Sequence, residues 1–498
     1  MPDLSDIGIG LLTACVLAGC IPLVSGLWQY ALIGLHGIRN HLPRAEDFTP
    51  NTAVLVPAWN EAAVIAGTID RLTSLNYPDG SLRVYVVDDA SDDGTPEIIK
   101  AKELEYPGQV FHLRREDGGQ GKAHTLNHGL GEILADDWAE AILIIDADVI
   151  FERDALRRMT RHLADPEVGA VTAYIKEGSH PANYLKRFIG FEYITAQAAA
   201  RRTQNVIGAM ACLAGGAQLH SRQSLEEIGG QIDTETLAED TITTLLTQLN
   251  GRRAIFEGNA VVWAEEPGDV RGLWKQRLRW ARGNVQVNRR FGKIWFRRWK
   301  YGRLGGFSFG LFWFSTFLMP AFMITSSVSL ITLYLIDFGY SLDVFRALWM
   351  INVFTYVTVT AYSLLMDPGT ARKSWLQAIF FPGVVSILII IGTCFPPVFD
   401  QFVPDLADDA GVPISETVTR VAMLFAYAWL TLSMVVAWLA KLVEGTKLRF
   451  LTPVFIYLSG FGSLLSAITF DSWVKEAQGK EAKWDKTEKT GQVALGPG

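Results

Sequence analysis

Three kinds of residue in this chain are spaced for shared chemistry: paired carboxylates, a glycine-flanked lysine and a Gln-Arg-Trp face. Asp146-Ala147-Asp148 sets two acids two residues apart after an apolar run. Such neighbours repel unless a cation or donors neutralise them, and hard oxygen ligands of this sort suit Mg2+ or Mn2+. An ion that also bridges two phosphate oxygens needs few protein ligands, as here. Asp88 and Asp89, followed by Asp92 and Asp93, repeat the pattern of acids after an apolar run, although Asp-Gly sequences also close turns. Gly118-Gly119-Gln120-Gly121-Lys122 combines glycines that permit close backbone approach with a point charge for phosphate. It lacks the Ser or Thr after Lys and the spacing of a Walker loop, which excludes the ATPase reading.

Glu239-Asp240 precede Thr241 to Leu249, a helix-like stretch. Asp240 there is either an N-cap or a base that takes the proton from an attacking hydroxyl. Gln276, Arg279 and Trp280 stand at i, i+3 and i+4, so a helix shows them on one face. Trp offers a flat surface to a sugar ring, and Arg stabilises developing diphosphate charge. With Lys275, Arg277 and Arg282, the same stretch also reads as a basic helix lying on anionic lipid.

The elements that must hold these groups alternate. Thr52 to Ala58 reads as a strand, and Glu61 to Leu75 carries apolar residues at helical spacing. Leu82 to Val87 is the next strand, Thr95-Pro96 opens a helix, and Ala141 to Ile145 is a third strand. Strands alternating with helices predict an α/β fold with a mostly parallel sheet, whose ligands lie beyond the carboxyl ends of the strands. The acids fall at those ends.

Around this soluble-looking stretch the chain is apolar. Of its 498 residues, 49% are hydrophobic and only 19% charged. Apolar runs extend over 7–35, 304–336, 347–366, 374–399, 421–440 and 450–470, each near the ~20 residues that cross a bilayer as a helix. The first is too long for a signal-peptide core and reads as a retained membrane helix. Arg39 and Arg44 after the first run, and Arg290, Lys293, Arg297, Arg298, Lys300 and Arg303 before the second, predict a cytoplasmic central domain. Arg372 and Lys373 mark a second inner loop, as do Lys441, Lys447 and Arg449, whereas the connection with Asp400, Asp405, Asp408 and Asp409 fits the outer side. If 450–470 spanned, the Lys-rich tail would lie outside. Pro453, Gly460 and Gly462 weaken an ordinary helix there, so we expect an interfacial or re-entrant helix and five spans.

The expected organisation is therefore a membrane helix in 1–40, a cytoplasmic domain in 48–290, a basic interface segment in 291–305, about four membrane helices in 306–445, the re-entrant helix in 449–472 and a cytoplasmic tail in 473–498. A net charge of −7 points to no nucleic-acid partner, and Cys15, Cys20, Cys212 and Cys394 have neither disulfide nor zinc spacing. No internal repeat occurs.

The ordered set Val56-Pro57-Ala58-Trp59-Asn60-Glu61, Val87-Asp88-Asp89-Ala90-Ser91, Gly121-Lys122-Ala123, Asp146-Ala147-Asp148, Glu239-Asp240 and Gln276-Arg277-Leu278-Arg279-Trp280 resembles family 2 glycosyltransferases. Within them it is most similar to membrane-integrated processive synthases of cellulose, chitin, hyaluronan and poly-β-1,6-N-acetylglucosamine. The resemblance covers about 50–290 and the membrane arrangement. It implies a cytoplasmic GT-A (Rossmann-like) domain inserted between transmembrane helices, a UDP-sugar donor, Mg2+ or Mn2+, and inversion at the anomeric carbon. On that pattern Asp88 and Asp89 hold uridine with Pro57, Asn60, Glu61 and Lys122 nearby, and Asp148 binds the metal with Asp146 beside it. Asp240 is the base. Gln276, Arg279 and Trp280 bind diphosphate, Trp280 also meets the acceptor sugar, and Gly215, Gly216, Arg222 and Glu239 lie on the acceptor side.

Departures are few: Ala238 stands where the family has Thr, Trp59 where Tyr is common and Ala90 where Gly is common. A single amino-terminal span departs from relatives with two. Trp484-Asp485-Lys486-Thr487-Glu488-Lys489 resembles the Trp-Lys-Thr string ending several bacterial synthases, and no PilZ-like domain fits the short tail. The resemblance implies a polysaccharide synthase at the inner membrane, with export or accessory subunits as compatible partners. UDP-N-acetylglucosamine is favoured over UDP-glucose. The competing enzyme is a monotransferase with a lipid acceptor such as ceramide or diacylglycerol. A relic binding subunit is expected to have lost Asp148, Asp240 or Trp280, and all three are present.

Overall fold

The computed structural model describes residues 4–38, 46–397, 415–480, 491 and 493. Arg39, Arg44, the acids Asp400, Asp405, Asp408 and Asp409, and the string from Trp484 to Lys489 lie outside the described residues. The chain divides into two compact units. One comprises 32–268, 282–310 and 480–498; the other comprises 1–31, 269–281 and 311–479.

The first unit is built on an eight-stranded sheet. In chain order its strands are β1 (Thr52–Ala58), β2 (Leu82–Asp88), β3 (Val110–Arg114), β4 (Ala141–Ile144), β5 (Ile150–Phe151), β6 (Val168–Glu177), β7 (Gln218–Ser221) and β8 (Arg253–Ala264). The spatial order is β3-β2-β1-β4-β7-β6-β8-β5. The four strands β3-β2-β1-β4 are parallel; β7 then runs antiparallel to both β4 and β6, while β6 and β8 are parallel. Val54, Leu55, Val56, Val84, Val86, Ile142 and Ile144 are all completely buried, as expected for strands covered on both faces. Each such side chain contributes roughly 1.5–3 kcal/mol of transfer free energy.

Because β1 has β2 on one side and β4 on the other, its carboxyl end is a topological switch point, where loops diverge and leave a crevice. Helix Lys122–Ala135 lies on this parallel half, with Leu126 and Leu130 packed in one core with Leu55, Val87 and Ile142. Its first residue is therefore delivered to the switch point.

In the second unit, four helical stretches are long and apolar enough to cross a membrane: Asp6–Leu35, Met319–Ile336, Phe338–Met366 and Glu416–Glu444. The first comprises two helices, Leu4–Ala18 and Ile21–Ile38, because Pro22 has no N–H to continue the ladder across Gly19 and Cys20. The expected run 304–336 is also divided, into Phe307–Phe317 and Met319–Ile336.

Two further helix pairs are sharply bent: Pro368–Ile379 with Val384–Cys394 by 73°, and Arg449–Ser459 with Phe461–Ala477 by 101°. Each is one broken span or a re-entrant loop by geometry. The two bends meet. Gly383 (φ 89°) and Gly460 (φ 87°) lie back to back, and a Cβ on Gly383 would stand 2.6 Å from Gly460 N. Both the left-handed backbone and the contact demand glycine. Buried or partly buried polar side chains pair between helices, including Ser25 with Ser315 (3.0 Å), Tyr30 with Ser363 (2.7 Å), Ser341 with Tyr427 (3.2 Å) and Ser433 with Ser463 (2.9 Å). Small hydroxyls of this kind let apolar helices approach closely without stranding a polar group in hydrocarbon.

Candidate active site

At the carboxyl ends of β1 and β2 the two loops are knitted together. Asn60 N donates to Ser91 Oγ (2.9 Å), Asp92 N to Asn60 Oδ1 (3.0 Å), and Glu61 N to Thr95 Oγ1 (2.8 Å). Asn60 (φ 55°) and Ala90 (φ 54°) both adopt left-handed backbone. That conformation is costly for a residue with a Cβ and open to glycine without strain. Pro57 sits within β1 opposite Val87. Asp88 is 0% exposed and accepts from Ser91 N (3.0 Å) and from Arg114. Asp89 accepts from Arg115 and from Gly119 N (3.0 Å), which ties the glycine loop to the end of β2.

The central cluster assembles around Lys122, the first residue of its helix. Lys122 Nζ donates to Asp146 Oδ1 and, at 3.2 Å, to the carbonyl of Gly215. Burial alone would lower the ammonium's pKa, but Asp146, Glu239 and Asp240 together outweigh it and hold it above the usual lysine value. Asp146 and Asp148 lie in the turn between β4 and β5, closed by Val149 N to Asp146 O (3.2 Å). Thr68 Oγ1, from the helix after β1, donates to Ala147 O (2.5 Å) and pins that turn.

Glu239 and Asp240 open the helix Glu239–Leu249. Thr243 and Thr244 back-bond to their carbonyls at 2.7 and 2.6 Å, and Thr241 N donates to Asp240 Oδ1 (2.7 Å). Gly215 and Gly216 bring the two acid groups within reach of each other. A Cβ on Gly215 would stand 3.2 Å from Asp240 Oδ2 and 3.6 Å from Lys122 Nζ; one on Gly216 would stand 3.2 Å from Asp146 Oδ2. The structure thus gathers Lys122, Asp146, Gly215, Gly216, Glu239 and Asp240 into one place.

Two neighbours escaped the sequence reading. Burial pushes the Cys212 thiol well above its usual pKa, and the Asp240 carboxylate adds to the effect, so Cys212 is a neutral thiol beside Asp240. Arg201 is partly buried, donates to Gln197 Oε1 (2.9 Å), and feels the charge of Asp240. No spacing rule joins either residue to Asp240; only the fold does.

Arg222 is not in this cluster, which corrects its expected acceptor-side position. It follows β7, whose Ser221 pairs with Ala141 at the amino end of β4, the end opposite Asp146. Its guanidinium donates to the carbonyls of Leu134 (2.8 Å), Asp136 (2.6 Å) and Ala139 (3.3 Å) and to Glu226 (2.7 Å). Those bonds fasten a loop.

The Gln276-to-Trp280 motif lies on one helix, Val270–Arg290, N-capped by Asp269, which accepts from Gly272 N (2.8 Å). Within the unit of the apolar helices, Arg277 stacks over Trp280 with Cζ 4.0 Å from the ring centroid. Trp280 itself is 41% exposed. The later half of the same helix belongs to the sheet-containing unit. There Gly283 abuts Ala238, a Cβ on Gly283 falling 2.7 Å from Ala238 Cβ, and Gln286 accepts from Leu237 N (2.9 Å). That later half is thereby fixed against the residues just before Glu239-Asp240.

The family model described as "Glycosyltransferase like family 2" matches residues 50–283, which span Lys122, Asp146, Asp148, Glu239, Asp240 and the Gln276-to-Trp280 motif. Residues 50–283 are a family 2 glycosyltransferase domain. The chain is 29% identical over 334 residues to the probable glycosyltransferase YdaM of Bacillus subtilis, covering 66% of this chain and 78% of that protein. It is 32% identical over 280 residues to the beta-monoglucosyldiacylglycerol synthase of Synechocystis sp., covering 56% of each. It is also 30% identical over 234 residues to the poly-beta-1,6-N-acetyl-D-glucosamine synthase of Staphylococcus aureus, covering 47% of this chain and 54% of that one. The chain thus spans little more than half the length of these last two relatives.

Among solved structures, the mannosyltransferase PcManGT from Pyrobaculum calidifontis, in complex with GDP-Man and Mn2+, matches with a TM-score of 0.52 and 23% identity, over 73% of this chain and 99% of that one. The glycosyltransferase domain therefore has the expected mixed α/β, Rossmann-like GT-A fold. Its donor set fits a divalent cation. Asp146 and Asp148 offer hard carboxylate oxygens in one turn, and no group of three or more His, Cys, Asp or Glu side chains forms a self-sufficient metal cage among the described residues. Such a sparse set suits an ion that draws its remaining ligands from a diphosphate.

Proposed function

We propose that this glycosyltransferase adds sugar units from a UDP-sugar, UDP-N-acetylglucosamine before UDP-glucose, to a growing β-glycan at a cytoplasmic active site, and helps the polymer across the inner membrane. The observation that carries the chemistry is the cluster joining Lys122 to Asp146 and, through Gly215, to Asp240. Asp240 Oδ takes the proton of the acceptor hydroxyl as that oxygen attacks the anomeric carbon. The bond from the anomeric carbon to the diphosphate oxygen breaks, and inversion follows from attack opposite the leaving group. Lys122 offers its ammonium to the departing diphosphate, as does Arg279, while Gln276 and Trp280 orient the donor and acceptor sugars. Asp148, with Asp146, would hold Mg2+ or Mn2+, which neutralises diphosphate charge when bound. Asp88 and Asp89, with Pro57, Asn60 and Glu61, form the uridine side; Glu239, Gly215 and Gly216 form the acceptor side.

Processive synthesis is supported by the several apolar helices and by similarity to a poly-β-1,6-N-acetylglucosamine synthase. A second reading, transfer of one sugar to a membrane lipid, is favoured by the 32% identity to a monoglucosyldiacylglycerol synthase. The basic residues Arg290, Lys293, Arg297, Arg298, Lys300 and Arg303 favour a cytoplasmic catalytic domain in either case. The deciding experiment incubates the full chain in lipid nanodiscs with Mg2+ or Mn2+ and a panel of UDP-sugars, with GDP-mannose alongside, and measures nucleoside diphosphate release and product size. A ladder of long products is expected. Turnover that requires diacylglycerol or ceramide and stops after one sugar overturns the polymer reading.

A further inference from the structure

Asp471 is an acid in the second arm of the bent pair Arg449–Ser459 and Phe461–Ala477, directly after the uncharged stretch Phe461 to Phe470. An ionisable group in such a setting is costly unless it is paired and useful. Its Oδ2 accepts from Trp274 Nε1 at 2.8 Å. Two lysines neutralise it: Lys441, from helix Glu416–Glu444, at 3.5 Å, and Lys475, one turn further on its own helix, at 3.6 Å. Lys441 Nζ also lies 4.1 Å from the centroid of the Trp274 ring. Asp471, Lys441 and Trp274, on three helices but all within one compact unit, thus meet at a single indole, which is 1% exposed.

The position of Trp274 on its helix gives this knot a use. At about 100° per residue, Gln276, Arg279 and Trp280 point roughly 200°, 140° and 240° from Trp274 around the helix axis. The motif therefore lies on the face opposite the anchor. A helix held by one fully buried side chain with a fixed donor–acceptor bond cannot roll about its axis, so the opposite face is held in register. We propose that Asp471 is a positioning residue for the Gln276/Arg279/Trp280 face. It acts through the Trp274 indole and fixes the rotation of the helix that presents this face to the donor diphosphate. The proposal rests on reading that face as the donor contact.

The test uses the full chain in nanodiscs and measures Kd for UDP with Mg2+, steady-state KM and kcat, and thermal unfolding. Four variants separate the outcomes: Asp471→Ala, Asp471→Asn, Trp274→Phe and Arg279→Ala. Losing the acceptor oxygen should weaken UDP binding and raise donor KM about tenfold in Asp471→Ala. Trp274→Phe, which keeps a ring but has no N–H, should match it. Asp471→Asn keeps a side-chain carbonyl for the indole and should stay close to wild type. A lowered unfolding temperature with unchanged donor KM in both Asp471→Ala and Trp274→Phe, while Arg279→Ala raises KM, would overturn the positioning role alone. Wild-type UDP affinity in Arg279→Ala would instead remove the donor-contact reading, and the proposal with it.

Discussion

Lys122 reaches across from the start of its helix to Asp146, 24 residues on, and the same ammonium holds the Gly215 carbonyl. One cation therefore links the acid turn to the glycine pair beside Asp240. Lys122→Met should weaken UDP binding by about tenfold or more, since a hydrogen bond to a charged group contributes roughly 1.5–3 kcal/mol. The raised pKa of Lys122 sets the pH behaviour. Its stabilising contribution is fully present below the usual lysine value of 10.5 and is lost only as pH rises through the higher folded value. The stability difference between wild type and Lys122→Met, measured by thermal unfolding, should therefore be flat from pH 6 to pH 9.

Asp240→Asn is isosteric and keeps the oxygen that accepts from Thr241 N. Removing a general base costs about a hundredfold to ten-thousandfold in rate. Transfer should fall by that factor while UDP affinity, read by titration calorimetry, stays within about twofold of wild type. Substantial turnover in this variant would move the base elsewhere.

Gly216→Ala sets a methyl 3.2 Å from Asp146 Oδ2 and 2.9 Å from Val149 Cγ2. Something must shift, and both contacts lie in the acid turn. Metal-dependent UDP binding and kcat should both drop at least about tenfold, while a β-sheet circular dichroism signal persists. Unchanged kinetics would show that the turn can retreat at no cost to chemistry.

Arg222→Ala removes a clamp on three backbone carbonyls far from the cluster. Stability should fall by about 1–3 kcal/mol, seen as a lower unfolding temperature, with acceptor and donor KM unchanged at a temperature where the variant is folded. A raised acceptor KM would return Arg222 to the acceptor side.

Ala90 adopts φ 54° between Asp89 and Ser91. For a residue with a Cβ that conformation costs about 1–2 kcal/mol, partly offset in glycine by its greater unfolded-state entropy. Ala90→Gly should therefore stabilise the protein by up to about 1 kcal/mol, visible as a higher unfolding temperature with donor KM preserved. A destabilised variant would mean that the Ala90 methyl contributes more by packing than it costs in backbone strain.

Much of the fold was legible along the chain because the signals are local. Strands close to Thr52–Ala58, Leu82–Asp88 and Ala141–Ile144 were readable from short β-branched runs, and the long apolar helices from sustained apolar stretches. The sharp bend at Gly460 was half visible, since glycine and proline warned of a break, whereas the one at Gly383 was not; the 101° and 73° angles come from two glycines pressed together in space. Arg222 was misplaced because proximity to Gly215 and Gly216 in sequence says nothing once β7 intervenes and runs the chain to the sheet's other end.

By itself the sequence determined which groups exist and what each can do: an acid pair in one turn, a lysine at a helix start, a carboxylate at another, and an i, i+3, i+4 motif face. Those properties depend on residue type and on distances of a few residues, which backbone geometry translates directly. Only the tertiary structure decided that Lys122 serves both Asp146 and Gly215, that Cys212 and Arg201 lie in the field of Asp240, and that Asp471 grips Trp274 from 197 residues away. Each is an interaction between residues on separate elements. The sheet order and helix packing determine such contacts, and no local pattern encodes them.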